Sequence, residues 1–283
     1  MIAENVLARA DIAYNAGPVR RLRRILHSEW TKLRTVPSTA WLVVAVVAST
    51  VTLSAMVTAA INTGQCPTPT ECFEDTTKLA LTGVWIGQAI VVVLAVLAVT
   101  NEYGTRMIRT TLAATPRRAT VLLTKAAVVT GTVLAAAALG VAGSLIAGRA
   151  ILPGNGFTVA NGYSPLSLAD GPTLRATAGT VVYFGLIALL SFGIGTIIRD
   201  TAAAITATLS LLFIFPIIAA FVSDPIWYER LQKFAPMSAG LAIQATENLD
   251  QTVIGPWAGL GVLAAYAGAA LLGGTILFKI RDA

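Results

Sequence analysis

Charge is the scarcest thing in this chain. Asp, Glu, Lys and Arg make up 12% of its 283 residues, against about 25% in a soluble domain, and histidine occurs once, at His27. The sequence holds no GxxxxGK[ST] phosphate loop, so it does not hydrolyse ATP through that motif. It also holds neither HExxH nor GxSxG, which removes zincin and nucleophile-elbow chemistry. Two cysteines, Cys66 and Cys72, are too few to hold a metal by themselves. No catalytic residue, metal site or bound cofactor is therefore assigned to the chain itself.

Hydrophobic residues, by contrast, make up 55% of the chain, and the mean hydropathy is +0.74. Six stretches lack Asp, Glu, Lys, Arg and His altogether: about 38–61, 79–100, 126–148, 176–198, 201–223 and 251–278. Each is long enough to cross a hydrocarbon core about 30 Å thick as a helix, which takes about 20 residues. In lipid the backbone must satisfy its own hydrogen bonds, and the runs lack the period-2 pattern of barrel strands. The expected fold is an all-α integral membrane protein with six transmembrane helices. The first run is preceded by basic residues, but it is too long for a signal-peptide core and is expected to remain as an anchor. Ionisable groups are missing from all six runs. That argues against an intramembrane hydrolase and against an ion-coupled carrier with acidic or histidine relays. A pathway through such a bundle would be walled by Ser, Thr, Gly, Gln88 and aromatics, which suits a hydrophobic or amphipathic cargo.

The basic residues orient the bundle. With the N-terminus in the cytoplasm, the inner face carries fifteen of the twenty Lys and Arg, leaving Lys78, Arg149, Arg175, Arg230 and Lys233 outside. Both termini are expected to be cytoplasmic, and the formal charge of +6 reflects topology and anionic lipid rather than nucleic acid. Cys66 and Cys72, in CPTPTEC, then fall outside the cell, where disulfides persist. The spacing, with Pro67 and Pro69 stiffening the ring, is compatible with a disulfide; two free thiols are the alternative.

Along the chain, residues 1–19 are expected to form a flexible cytoplasmic tail. Residues 20–37 place Leu22, Ile25, Leu26, Trp30 and Leu33 on one helical stripe and most of the basic residues, including Lys32 and Arg34, elsewhere. They are expected to form an amphipathic interfacial helix before the six-helix domain of 38–283. Crossings four and five are joined by little more than Arg199 and Asp200, a tight hairpin. The loop of 224–250 carries Trp227, Tyr228 and Phe234 among charges and is expected to lie at the outer interface. Gly140, Ser144 and Gly148, and Gly255 and Gly259, sit four apart as close-packing residues do. Pro216 is a candidate for a kink or gate in crossing five.

Between crossings two and three lies a charged island, residues 101–120, NEYGTRMIRTTLAATPRRAT. As a helix it would set Tyr103, Met107, Ile108 and Leu112 on one half and Glu102, Thr105, Arg106 and Arg109 on the other. Glu102 and Arg106 are four apart, as helical ion pairs are.

SEWTKLRTVPSTAW, NEYGTRMIRTTLAATPRR, GTIIRDTAAAI and FAPMSAGLAI resemble, in this order, four segments of the permease subunits of actinobacterial ABC-2 type ATP-binding-cassette exporters. These are the opening elbow, the loop after crossing two, the turn between crossings four and five, and the outer segment before the last crossing. The resemblance implies a multi-pass protein of the cell membrane, paired as a homodimer or with a related permease, on two copies of a cytoplasmic ABC ATPase that binds ATP and Mg. It implies that Glu102, Tyr103, Thr105, Arg106, Ile108, Arg109, Thr110, Thr111 and Leu112 meet that ATPase, although family members often carry Gly-Thr where this chain has Arg106 and Met107. Trp30, Lys32 and Arg34 would belong to the elbow. The reading from another class is a membrane scaffold or immunity-type protein that binds partners without transporting.

Overall fold

The computed structural model describes residue 31 and residues 37–65, 74–104 and 118–281. Several sequence expectations lie outside them. These are the tail of 1–19, the interfacial helix with Trp30, Lys32 and Arg34, the pair Cys66 and Cys72, and residues 105–117 of the island.

Every regular element among the described residues is helical. Six helices are long and apolar enough to cross a membrane: α1 (Pro37–Ala60), α3 (Val84–Gly104), α4 (Arg118–Ile151), α5 (Gly171–Ile198), α6 (Thr201–Phe221) and α9 (Pro256–Arg281). Three shorter ones complete the set: α2 (Thr76–Ala80), α7 (Pro225–Phe234) and α8 (Pro236–Leu241). Residues 61–65, 74–83, 152–170 and 222–255 gather at one end of the bundle, where Thr63 Oγ1 donates to the Asn155 carbonyl at 3.3 Å and Thr246 Oγ1 to Asp75 Oδ1 at 2.8 Å. At the opposite, short-turn end, Thr201 Oγ1 donates to Thr100 Oγ1 at 2.8 Å.

The helices depart from the uncharged runs at their ends. α4 starts eight residues before 126, at Arg118, and ends at Ile151, so Lys125 and Arg149 lie within it. α5 starts at Gly171 rather than near 176, because the Asp170 carboxylate accepts from Thr173 N at 3.2 Å and caps it, with Pro172 in the first turn. α3 and α9 start later than the runs, at Val84 and Pro256. A charged side chain can reach an interface from inside a helix end, so charge marks where the membrane ends and not where the helix does.

Between lipid-embedded helices, contact depends on close packing and hydrogen bonds, because the tails outside are as apolar as the helices. α1 shows how this works. Its buried stripe is Val46, Thr50, Ser54 and Thr58, one residue per turn. Thr50 and Thr58 spend their hydroxyls on carbonyls one turn back, Val46 O at 2.6 Å and Ser54 O at 2.9 Å. What remains of the stripe docks two neighbours: Ser144 Oγ of α4 donates to Thr50 O at 3.2 Å, and Gly83 N donates to Ser54 Oγ at 2.9 Å. A Cβ on Gly83 would stand 1.9 Å from Thr50 O.

The hub is α5. Its spanning window is 61% buried, just above the 56% of α3 and well above the 22% of α1, α6 and α9, and it packs on α3, α4, α6 and α9. Three of its glycines face three different helices. A Cβ would press on Leu134 of α4 from Gly185, on Ala270 of α9 from Gly193 and on Val99 of α3 from Gly195. It ends at Arg199, in the left-handed region at φ 63°, and Asp200 caps α6 by accepting from Ala203 N at 2.8 Å. Crossings four and five thus form the tight hairpin that the sequence anticipates.

Candidate functional site

Residues 222–255 fold in two parts of opposite character. Asp224 caps α7, accepting from Ile226 N at 2.8 Å. This helix exposes Ile226, Trp227, Tyr228 and Phe234 beside charged residues, with Arg230 over the Trp227 ring at 5.4 Å. That is the amphipathic character expected of this segment. α8 and the turn after it do something else: Pro236, Met237, Ala239, Gly240, Ile243 and Gln244 are buried. The backbone of α9 comes so close that a Cβ on Gly259 would stand 2.0 Å from Ala239 O, while α5 is recessed at Gly179 to admit Ile243.

Polar groups hold this inserted segment at three depths. Deepest, Gln88 Nε2 of α3 meets Met237 Sδ at 3.2 Å, and the Tyr183 hydroxyl of α5 donates to Gln88 Oε1. Next, Gln244 Nε2 donates to Thr180 Oγ1 at 3.2 Å. At the rim, Arg175 Nη2 donates to Ala245 O. There too the Asp75 carboxylate accepts from Thr246 N, from Thr246 Oγ1 at 2.8 Å and from Glu247 N at 3.3 Å.

Beside the segment opens a cavity of ≈ 670 Å³ at the long-loop end. Glu74, Asp75, Lys78, Gln232 and Thr252 are among its polar lining. Leu79, Trp85, Pro216, Ala219, Ala220 and Tyr228 supply apolar wall, and Met237, Leu241 and Ala242 form the face contributed by the inserted segment. Its volume is that of a small-molecule site, with an apolar wall and a polar, partly charged rim. Burial first, and then the charge of Asp75, raise the Glu247 carboxyl above its usual range. Burial, Glu247 and Glu74 raise the Tyr163 phenol. A smaller cavity of ≈ 290 Å³ lies under residues 152–166, near the edge-on pair Phe157 and Tyr163 at 4.9 Å.

Of the residues singled out from sequence, Pro216 lies inside α6 and lines the larger cavity. Glu102 and Tyr103 belong to the last turn of α3, while Thr105, Arg106, Ile108, Arg109, Thr110, Thr111 and Leu112 lie outside the described residues. Gln88, expected on a pathway wall, is fully buried and committed to Tyr183 and Met237 instead. The small-residue spacing of α4 is used for packing: Gly140 faces Thr50, Ser144 bonds it, and Gly148 faces Ala80. In α9 only Gly259 of its pair is so used; Gly255 faces open space. The sequence does not single out Asp75, Arg175, Gln244 or Thr246 for this site. Its one hint is Asp75 ahead of Thr76–Ala80, the pattern of a helix cap, and Asp75 does accept from Lys78 N at 3.0 Å. Its second set of partners lies 171 residues away.

Six helices long and apolar enough to cross a membrane, with α5 the most buried of them, define a multi-pass helical membrane protein. A scan against protein-family models and a search of the curated proteins each find no match for the chain.

Proposed function

We propose that this chain is the permease subunit of an ABC-2 type exporter in the cell membrane. It would move a hydrophobic or amphipathic substrate outward by alternating access while a separate ATPase supplies the energy. The observation that carries the reading is the ≈ 670 Å³ cavity, apolar at its wall and polar at its rim, set between α2, α3, α6, α7 and the inserted segment. Such a cavity offers an amphiphile both a desolvated pocket and a wet mouth. The chain has no phosphate loop, so the work must come from another subunit. The arginine-bearing island directly follows α3, a helix whose opposite end borders the cavity, which gives that subunit a place to act. In this reading both termini and the short-turn end are cytoplasmic, and the long-loop end faces outward.

A second copy of the chain fits the same scheme. Ile214, Ile217, Ile218 and Phe221 of α6 are exposed at i, i+3, i+4 and i+7, an apolar stripe flanking the cavity residues Pro216, Ala219 and Ala220.

The test is affinity purification from the native host in mild detergent, with mass spectrometry and stoichiometry of what accompanies the chain. The expected outcome is a P-loop ATPase in roughly equal amount. Recovery of the chain alone, or with a non-ATPase partner even under crosslinking, would replace transport by the scaffold reading.

A further inference from the structure

The three depths at which the inserted segment is held differ in what it costs to let go. Breaking the contacts of Gln88 or Gln244 leaves amides unmatched in surroundings where both side chains are fully buried, and such groups resist release. The rim is different. Asp75 is only half-buried and Glu247 is exposed, so water can replace each partner as they separate. The segment is therefore anchored at depth and releasable at its edge, where the one carboxylate of Asp75 accepts three bonds.

We propose that Asp75 is a latch that holds the edge of the segment, residues 245–247, closed beside the cavity, and that release of its carboxylate from Thr246 and Glu247 opens the cavity toward the long-loop side. Asp75 and Ala245 both line the cavity, so the two cannot part without widening its mouth. Asp75 is also well placed to be moved. It caps α2, which joins α3 through only residues 81–83, and α3 runs unbroken to Gly104 at the far end of the bundle. A displacement of that far end reaches the latch through one rigid helix. The charged groups near the latch are Glu74, Lys78 and Glu247, with Arg175 acting on the neighbouring Ala245 carbonyl from α5. The latch holds whatever the cavity carries, so it stands or falls separately from the transport reading.

The experiment measures opening without any cargo. In the full-length chain with Cys66 and Cys72 replaced by Ser, Ala245→Cys reports exposure of the segment's edge to fluorescein maleimide. Asp75→Ser keeps a capping oxygen for α2 but removes the carboxylate, and should raise the labelling rate by roughly ten-fold or more, the scale of lost bonds to a charged acceptor. Thr246→Val, which removes one of the three bonds, should raise it less. Asp200→Ser, which alters the cap of α6 at the opposite end of the bundle, should leave it unchanged. In parallel, amide hydrogen exchange on the chain with its cysteines intact should speed up at residues 246 and 247 in both Asp75→Ser and Thr246→Val. Unchanged labelling and exchange, or an equal rise in Asp200→Ser, would overturn the latch. Either result leaves the ATPase co-purification to be decided on its own.

Discussion

At Glu247 the sign of a charge effect can be worked out from the rim. Although the residue is exposed, its carboxyl is raised by partial desolvation and by Asp75, so the folded segment holds the proton more firmly than the unfolded chain does. Stability is then lost as pH rises from the ordinary carboxylate range through the raised value, and the charged form is a burden at neutral pH. Glu247→Gln should accordingly raise the thermal midpoint at about pH 7.5, with the gain disappearing below about pH 4, where the native carboxyl is already neutral. A loss of midpoint at neutral pH would contradict this electrostatic account. A second residue-scale consequence lies inside the bundle. Tyr183→Phe removes the hydroxyl that satisfies Gln88 Oε1 in a fully buried site, and should cost about 0.5–2 kcal/mol in denaturant unfolding, the range for hydrogen bonds between spanning helices. Gln88→Leu made together with Tyr183→Phe should recover part of that loss, since removing both partners is milder than orphaning one.

Two glycines of α9 make an element-scale comparison. A Cβ at Gly259 would meet the Ala239 carbonyl at 2.0 Å, so α9 and the inserted segment would have to separate, whereas Gly261 faces open space. Gly259→Ala should destabilise by about 1–3 kcal/mol, as overpacking does, while Gly261→Ala should gain about 0.5–1 kcal/mol from helix entropy. Thermal midpoints of the two variants in one detergent check the contrast, and equal shifts would remove the close approach as its cause. The same elements show how much the sequence discloses. Uncharged runs near Leu42 or Val91 announce spanning helices because about 20 consecutive apolar residues match the thickness of a hydrocarbon core. The turn at Arg199 is equally legible, because two charged residues between two such runs leave no room for anything longer. α8 is not: PMSAGL is six small or apolar residues without a period, and its burial depends on recesses at Gly179 and Gly259. The site is less legible still, since a carboxylate's partners 171 residues away leave no local trace.

Taken as a whole, the molecule has its cavity at one end of α3 and Gly104, after which the sequence runs into the basic island, at the other. If the island is where an ATPase grips, Arg106→Glu with Arg109→Glu should sharply reduce recovery of that subunit in co-purification while leaving the chain in the membrane. Undiminished recovery and transport would sink the assignment of these arginines. The hub position of α5 also sets a timetable for making the protein. Crossings one to three can settle first, because Ser144 and Gly83 already bind the α1 stripe. Gln88 cannot, since Tyr183 and Met237 follow it by 95 and 149 residues. At about 5–20 residues per second of synthesis, its amide enters the bilayer roughly 7–30 s before Met237 exists. An unfinished or truncated chain thus displays a polar flag within the membrane, which completion of the outermost segment lowers.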